Sequence, residues 1–313
     1  MKLSVAMITY NHERFIGQAI ESVLAQKVNF EYEIVIGEDC STDATRAIVT
    51  DFCRRYPSLI MPLFRERNLG GPRNLLGTLA SCRGQYLALL EGDDYWTCVD
   101  KLQRQVDFLD AHTDRVLCCH RVKFIHEIGA SEVDIFPQLA AGPYTIQDLL
   151  RMNFVMTCST VLRRDLIGPL PQWYFEMTMG DWPLFAMIAS HGKIELMDEI
   201  MAAYRVHAGG SWSALPRMTQ LQEALRMLRL LDTHLGLQYT NSIRHAITWF
   251  YLELAMTARS SGRRIETLKH LFSCIRYGGL REGISLRTLA GLAVYALIGS
   301  RYRRFSRAKS ASG

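Results

Sequence analysis

No cysteine pair in this chain is spaced as CxxC, no GxxxxGK(S/T) or GxGxxG is present, and no histidines stand as HxxxH. Each absence excludes something. The eight cysteines and nine histidines offer no clustered zinc ligands, so the thiols read as reduced, semi-buried fillers of a cytosolic protein. Without the two glycine-rich fingerprints, kinase-like and nicotinamide-dependent chemistry lose their usual phosphate cradles. No basic region followed by a long apolar stretch opens the chain, so no secretory leader is expected. The apolar stretch Leu289 to Ile298 is about half the roughly 20 residues that a spanning helix needs.

What is present is a packed globular composition. With 313 residues and 49% hydrophobic content, the chain can build one large α/β domain plus a helical extension. The net charge of +5 hides an asymmetry: residues 262–313 hold eleven Lys or Arg against two acids, leaving 25 bases and 29 acids elsewhere. A basic tail on a slightly acidic body points to an anionic partner surface for the tail alone. Nucleic acid is not expected, because its binders spread basic and aromatic residues over a groove. Flanked by Arg287 and by Arg301, Arg303 and Arg304, Leu289 to Ile298 reads either as a helix in the headgroup region of an anionic leaflet or as a buried C-terminal helix with a frayed end.

Leu3 to Thr9 alternates and then runs apolar, which predicts a strand. Glu13 to Gln26 follows with Phe15, Ile16, Ala19, Ile20, Val23 and Leu24 at helical spacing and Asn11 able to cap it. Tyr32 to Ile36 is a second strand; Ala44 to Tyr56 is again helical, with Ser41 or Thr42 as cap. Ile60 to Phe64 and Tyr86 to Leu90 supply two more strands, separated by a Gly70-Gly71-Pro72 loop and a helix to about Ser81. This βαβα alternation implies a parallel sheet. Beyond a helix near Val99 to His112, strands are expected at Val116 to Ile125, Cys158 to Arg163 and Ile194 to Tyr204. Short helices are expected at Gln147 to Met152 and Asp181 to Ser190, with Pro137 to Tyr144 as loop. From Pro216 on, Leu221, Leu225, Leu228 and Leu231 recur at helical spacing, so a domain change is placed near Trp212 to Pro216.

Glu91-Gly92-Asp93-Asp94 sits at the mouth of a strand apolar enough to be buried on both faces. Acids crowded there repel one another unless water or a cation offsets the charge, and oxygen donors suit Mg²⁺ or Mn²⁺. A second acidic segment, Glu38-Asp39-Cys40-Ser41-Thr42-Asp43, closes another strand on the same edge, where open α/β sheets bind ligands. Gly70-Gly71-Pro72-Arg73-Asn74 brings amides and a guanidinium suited to a diphosphate. Each segment also has a plain structural reading: a solvated turn, a helix cap or an ordinary loop.

Taken in order, Thr9-Tyr10-Asn11, the helix bearing Ala19 to Gln26, Glu38 to Asp43, Arg73-Asn74 and Leu89 to Trp96 resemble glycosyltransferase family 2, the inverting GT-A fold. The resemblance covers about Met1 to Trp212. It implies a Rossmann-like, mostly parallel central sheet flanked by helices, as residues 1–212, with a helical C-terminal region over 213–313. It also implies that Thr9, Tyr10, Asn11, Glu13, Asp39, Arg73, Glu91, Gly92 and Asp93 hold the nucleotide sugar, with the family's DxD motif on Glu91, Gly92 and Asp93. The leading position is Glu rather than Asp, one methylene longer. Asp93, Asp94 and His207 are the implied ligands of Mn²⁺ or Mg²⁺. Asp181 is the implied catalytic base, although Gly180 replaces the acid that usually precedes it; Trp182 and Trp212 are the implied acceptor contacts. A helix N-terminus lowers a carboxylate's pKa, so burial or an acceptor contact must make Asp181 an adequate base.

The implied reaction is direct displacement: a sugar passes from a UDP- or dTDP-linked donor to a hydroxyl of a glycan or lipid-linked acceptor, in surface polysaccharide or cell-envelope glycan synthesis. The implied location is cytoplasmic or peripheral on the inner face of the cell membrane. The competing readings are a nucleotidyltransferase, which would release pyrophosphate without needing Asp181, and a non-catalytic nucleotide-sugar-binding module.

Overall fold

The N-terminal alternation folds into four parallel strands with a helix between each successive pair. In this computed structural model, which describes residues 1–127 and 134–298, β1 (Leu3–Thr9), α1 (Ile16–Leu24), β2 (Tyr32–Glu38), α2 (Thr45–Arg55), β3 (Ile60–Phe64), α3 (Gly71–Ser81) and β4 (Tyr86–Glu91) follow in order. The strands lie β3-β2-β1-β4, with Leu3 paired to both Tyr32 and Tyr86. Helix α1 buries Ile16, Ala19, Ile20 and Val23, the i, i+3, i+4, i+7 set of one helical face. That face joins Leu3, Val5 and Met7 of β1 and Ile34 and Ile36 of β2 in one apolar core.

Next come β5 (Tyr95–Trp96), α4 (Lys101–Ala111), β6 (Arg115–His126), β7 (Ile135–Phe136), β8 (Gly142–Tyr144), α5 (Ile146–Arg151), β9 (Val161–Arg163), α6 (Asp181–Ala189) and β10 (Lys193–Val206). They extend the sheet to β3-β2-β1-β4-β9-β6-β10-β5, with β7 on β6 and β8 on β10. β9 runs antiparallel to both neighbours, whereas β10 is parallel to β6.

Local chemistry changes four of the expected caps and elements. Asn11 does not cap α1: its backbone is left-handed at φ 54°, and its side-chain oxygen accepts the Thr42 amide at 2.8 Å. The α2 amides likewise pass over Ser41 and Thr42, since Ala44 N–H donates to Glu13 at 2.9 Å and Thr45 N–H to Asp43 at 2.9 Å. Cys158 lies in a 3₁₀ turn, Thr157–Ser159, rather than a strand, because the Ser159 and Thr160 hydroxyls both donate to the Met156 carbonyl and turn the chain there. Gly142–Tyr144, expected as loop, pairs with β10. All eight cysteines are free thiols.

Lys101 is fully buried at the start of α4. Its Nζ donates to Gln105 Oε1 at 2.7 Å and lies 4.2 Å over the Trp96 ring, and burial pushes the amine down to about 7. The unfolded chain then holds more protons than the fold between about pH 7 and the ordinary lysine value of about 10.4, so stability rises with pH across that window. Lys101→Met is expected to raise stability near pH 6 by roughly 1–3 kcal/mol, with the gain over wild type shrinking toward pH 9.5. Urea unfolding at the two pH values checks it; an advantage that does not change with pH would contradict it.

The chain divides into two compact units, residues 1–149 with 153–214, and 150–152 with 215–313. The second contains α7 (Arg217–His234), α8 (Thr240–Ser260), α9 (Arg264–Tyr277) and α10 (Leu286–Ile298). Leu252 and Ala255 of α8, Leu271 and Cys274 of α9, Ile284, and Leu289 and Leu292 of α10 form a core within it. One face of the stretch Leu289 to Ile298 thus packs into that core through Leu289 and Leu292, and Arg301 onward lies outside the described residues. Among the described residues, no helix is long and apolar enough to cross a membrane.

Candidate active site

Three adjacent strands deliver the acidic segments to one edge. Thr9 pairs with Glu38 and Ile8 with Glu91, and just beyond these pairs Asp39 N–H donates to Thr9 O at 3.0 Å and Gly92 N–H to Ile8 O at 2.9 Å. The chain leaves β1 toward β2 and β3, then returns to pair β4 on the other side of β1. The strand order therefore reverses at β1, and the crevice opened by such a reversal is where open α/β sheets bind ligands.

At this edge two imidazoles face one carboxylate. His207 Nε2 lies 3.0 Å from Asp93 Oδ2, and His12 Nε2 lies 3.6 Å from the same oxygen. Gly209 N–H also lies 3.3 Å from His207 Nδ1. Burial opposes ionisation of Asp93, but the His207 hydrogen bond and the nearby His12 outweigh it and hold the carboxyl below its usual range. Burial lowers His12, more than offsetting Asp93, which favours the neutral ring, the form that ligates metals. The ligand atoms of His12, Asp93 and His207 all lie within 4.8 Å of one another. This set fits a divalent cation, and its mixed nitrogen and oxygen donors suit Mn²⁺ better than Mg²⁺, which prefers oxygen. His12 was absent from the expected ligands; the signal for it was its place two residues past Tyr10, in the loop that closes β1.

Asp94, expected as a ligand, is directed elsewhere. Its side chain is almost completely buried, Oδ1 accepts the Arg205 amide at 2.8 Å, and the Cys158 thiol lies against it. The Arg205 guanidinium donates to the Asp93 carbonyl and to Gln18, held between the Phe15 and Tyr95 rings at 4.9 and 4.6 Å. Asp94 and Arg205 thus clamp the end of β10 to the acidic turn, which delivers His207 to Asp93. The motif offered no sign of this role for Arg205, because it depends on the pairing of β5 with β10.

Glu91 and Asp181 complete the acidic cluster. Burial pushes Glu91 well above the ordinary carboxylate range, and Asp94, Asp93 and Asp181 add like-charge repulsion. Asp181 opens α6, and Thr157 Oγ donates to its Oδ2 at 3.4 Å. Burial raises the Asp181 carboxyl despite the amides at the helix start, the direction that a general base requires. At Gly180, where the usual first acid is replaced, a Cβ would stand 2.9 Å from the Tyr174 hydroxyl, which donates to the Gly180 carbonyl.

The remaining expected site residues divide between surface and scaffold. Tyr10 is 40% exposed and Arg73 is exposed near Phe175, 5.6 Å from its ring centroid. Asp39 is buried and accepts the Leu69 and Gly70 amides at 2.8 and 2.9 Å, which ties the glycine loop to β2. The Asn11 and Glu13 side chains, expected on the nucleotide, are engaged by Thr42 and Ala44 and fasten the β1 loop to the start of α2. Trp182, expected at the acceptor, is buried with its indole N–H on the Leu149 carbonyl at 3.1 Å, so its ring is core. Trp212 is half-buried in the turns after His207.

Gly92 is the tight point. A Cβ there would lie 2.5 Å from Thr9 Oγ1 and 3.0 Å from His12 Nδ1. Gly92→Ala is expected to displace His12 and lower turnover by roughly 10- to 100-fold, the usual cost of disturbing groups that orient a metal site. Steady-state kinetics check this; unchanged turnover would mean that His12 can move without consequence.

A family model described as Glycosyl transferase family 2 matches residues 4–167. An uncharacterized protein of Mycobacterium tuberculosis is 36% identical over 272 residues, 84% of this chain and 78% of that protein. The poly(ribitol-phosphate) beta-N-acetylglucosaminyltransferase TarS of Staphylococcus aureus is 34% identical over 121 residues, 37% of this chain and 20% of TarS. Among solved structures, S. aureus TarS 1–349 in complex with UDP-GlcNAc is similar with TM-score 0.65 at 18% identity, covering 97% of this chain and 92% of that one. The mannosyltransferase PcManGT from Pyrobaculum calidifontis, in complex with GDP-Man and Mn²⁺, is similar with TM-score 0.55 at 15% identity, covering 96% and 88%. At such identities the structural likeness speaks to fold, and the fold is the expected GT-A architecture with additional C-terminal helices.

Proposed function

The chain belongs to glycosyl transferase family 2 and is a glycosyltransferase, and on that premise we propose that it transfers a sugar, with inversion, from a UDP- or dTDP-linked donor to a hydroxyl acceptor. The observation that carries this reading is the convergence of Glu91, Asp93 and Asp181 with His12 and His207 at the switch point of the sheet. Such an excess of carboxylate at one edge is costly without a cation or a ligand's donor groups to offset it.

Roles follow from position. Asp181, raised by burial and held by Thr157, accepts the acceptor's hydroxyl proton as that oxygen attacks the anomeric carbon from the face opposite the diphosphate. One in-line displacement inverts that carbon. Asp93, His207 and His12 would hold Mn²⁺, which when bound supplies positive charge beside the leaving diphosphate. Thr9, Tyr10 and Asp39 border the nucleotide, Arg73 meets the diphosphate, and Trp212 stacks on a sugar. On this reading donor binding and chemistry belong to residues 1–212. The acceptor is proposed to be a glycan or lipid-linked saccharide of surface polysaccharide or cell-envelope synthesis, with the enzyme on the cytoplasmic face of the membrane. What TarS is named for, and the UDP-GlcNAc in its structure, support a uridine donor and an envelope acceptor.

The test is a panel of UDP-, dTDP- and GDP-sugars assayed for nucleoside diphosphate release with Mn²⁺ present. Release from a uridine or deoxythymidine donor is expected. Pyrophosphate as product would instead indicate nucleotidyl transfer, and binding without release from any donor would indicate a non-catalytic module.

A further inference from the structure

Helix α9 carries an apolar stripe that the core of its own unit does not cover. Ile265, Leu268, Phe272 and Ile275 are 85%, 36%, 67% and 50% exposed, while Thr267, His270, Leu271 and Cys274 of the same helix are buried. At about 100° per residue the four exposed positions fall within an arc of roughly 80°. Large apolar side chains scattered singly over a surface need no explanation, but a continuous stripe of them does.

Further exposed apolar side chains lie near both ends of the helix in the chain. Arg264 donates to the Ala296 and Leu297 carbonyls, which sets Leu297, 68% exposed, beside the start of α9. After the last turn of α9 the chain presents Leu280 and Leu286, at 55% and 70% exposed.

Charge identifies the occupant. On the same helical projection Lys269 and Arg276 lie roughly 20–40° beyond the edge of the arc, and Arg263 and Arg281 bracket the helix in sequence. Residues 215–298 hold eleven Lys or Arg against five acids, and the sequence after them adds Arg301, Arg303, Arg304, Arg307 and Lys309 without an acid. A second copy of the same face would bring this positive charge against itself, whereas an anionic bilayer offers both a negative surface for the bases and an acyl boundary for the apolar residues. The geometry points to α9 as a membrane-docking helix that lies in the headgroup plane of an anionic leaflet, with Ile265 and Phe272 as its deepest apolar contacts. This inference stands on the exposed stripe and its charged border, and does not require any particular donor or acceptor.

The test is co-sedimentation of the full chain with vesicles of phosphatidylcholine alone and of phosphatidylcholine mixed with phosphatidylglycerol. Binding to the mixed vesicles only is expected, weakening as salt is raised. Ile265→Glu with Phe272→Glu, and separately Lys269→Glu with Arg276→Glu, should each weaken it about tenfold or more, with thermal midpoints close to wild type because all four side chains face solvent. Failure of the wild type to bind mixed vesicles overturns the inference, as does a doubly substituted chain that binds like wild type. A dimer in light scattering that the Ile265 and Phe272 substitutions dissociate, with no vesicle binding by the wild type, would assign the face to a second copy instead.

Discussion

Asp181→Asn lowers turnover by about 10³-fold while the Kd for the donor stays within about twofold of wild type. The loss corresponds to about 4 kcal/mol of barrier, and falls on kcat because the carboxylate acts on the acceptor's proton rather than on the nucleotide. Asparagine keeps the shape and can still meet the Thr157 hydroxyl, so the variant should fold and bind. The pH profile separates this role from a structural one. Burial raises the Asp181 carboxyl, and the base must be ionised to work, so wild-type kcat should fall as pH drops through a limb above the ordinary carboxylate range. In Asp181→Asn that limb should vanish along with most of the rate. Single-turnover nucleoside diphosphate release and donor calorimetry measure the two halves of the expectation. A variant with wild-type turnover would remove Asp181 from the chemistry.

The parallel half of the sheet was legible because its signals are local. Alternation in Leu3 to Thr9, the continuous apolar run Tyr86 to Leu90 and the i, i+3, i+4 spacing in α1 each report a period that holds whatever surrounds it. The acids at the strand ends were legible for the same reason, since a parallel strand must deliver its last residue to one edge. Side-chain direction beyond that edge was not. Asn11 at φ 54° bends the β1 loop so that His12 meets Asp93, and no spacing rule encodes such a bend. Asp93 and Asp94 are neighbours in sequence, yet one faces the histidines and the other is sealed beneath the Arg205 amide.

Two features beside the proposed base share one physical origin. Trp182 and Gly180 flank the proposed base, but the indole is spent on the Leu149 carbonyl and the glycine exists because Tyr174 fills the space a side chain would need. Both facts are set by residues more than five positions away, which sequence position alone does not bring together. The same limit applies to α9: its spacing reads as an ordinary amphipathic helix, and only the packing of α8 and α10 shows that the apolar content extends beyond the covered face.

Chelation followed by metal titration should give the second large effect. EDTA is expected to reduce donor turnover by about 10²-fold or more, Mn²⁺ to restore it more fully than Mg²⁺, and Asp93→Ala to abolish the restoration. His207→Ala and His12→Ala should each weaken Mn²⁺ binding by roughly 10- to 100-fold. The direction with pH follows from the ligands: an imidazole binds metal only when neutral, so Mn²⁺ affinity should fall as acid protonates His12. Because burial already lowers His12, its loss should come later on the way down than for an ordinary histidine. Binding to the folded chain alone would also raise the thermal midpoint in proportion to the logarithm of free Mn²⁺, a readout independent of any sugar. Should chelated protein run at full rate and its midpoint ignore Mn²⁺, the 3.0 Å contact between His207 and Asp93 would be an ion pair in its own right. The diphosphate's charge would then have to be met by protein cations instead, and Arg73, exposed on α3, would be the first residue to replace.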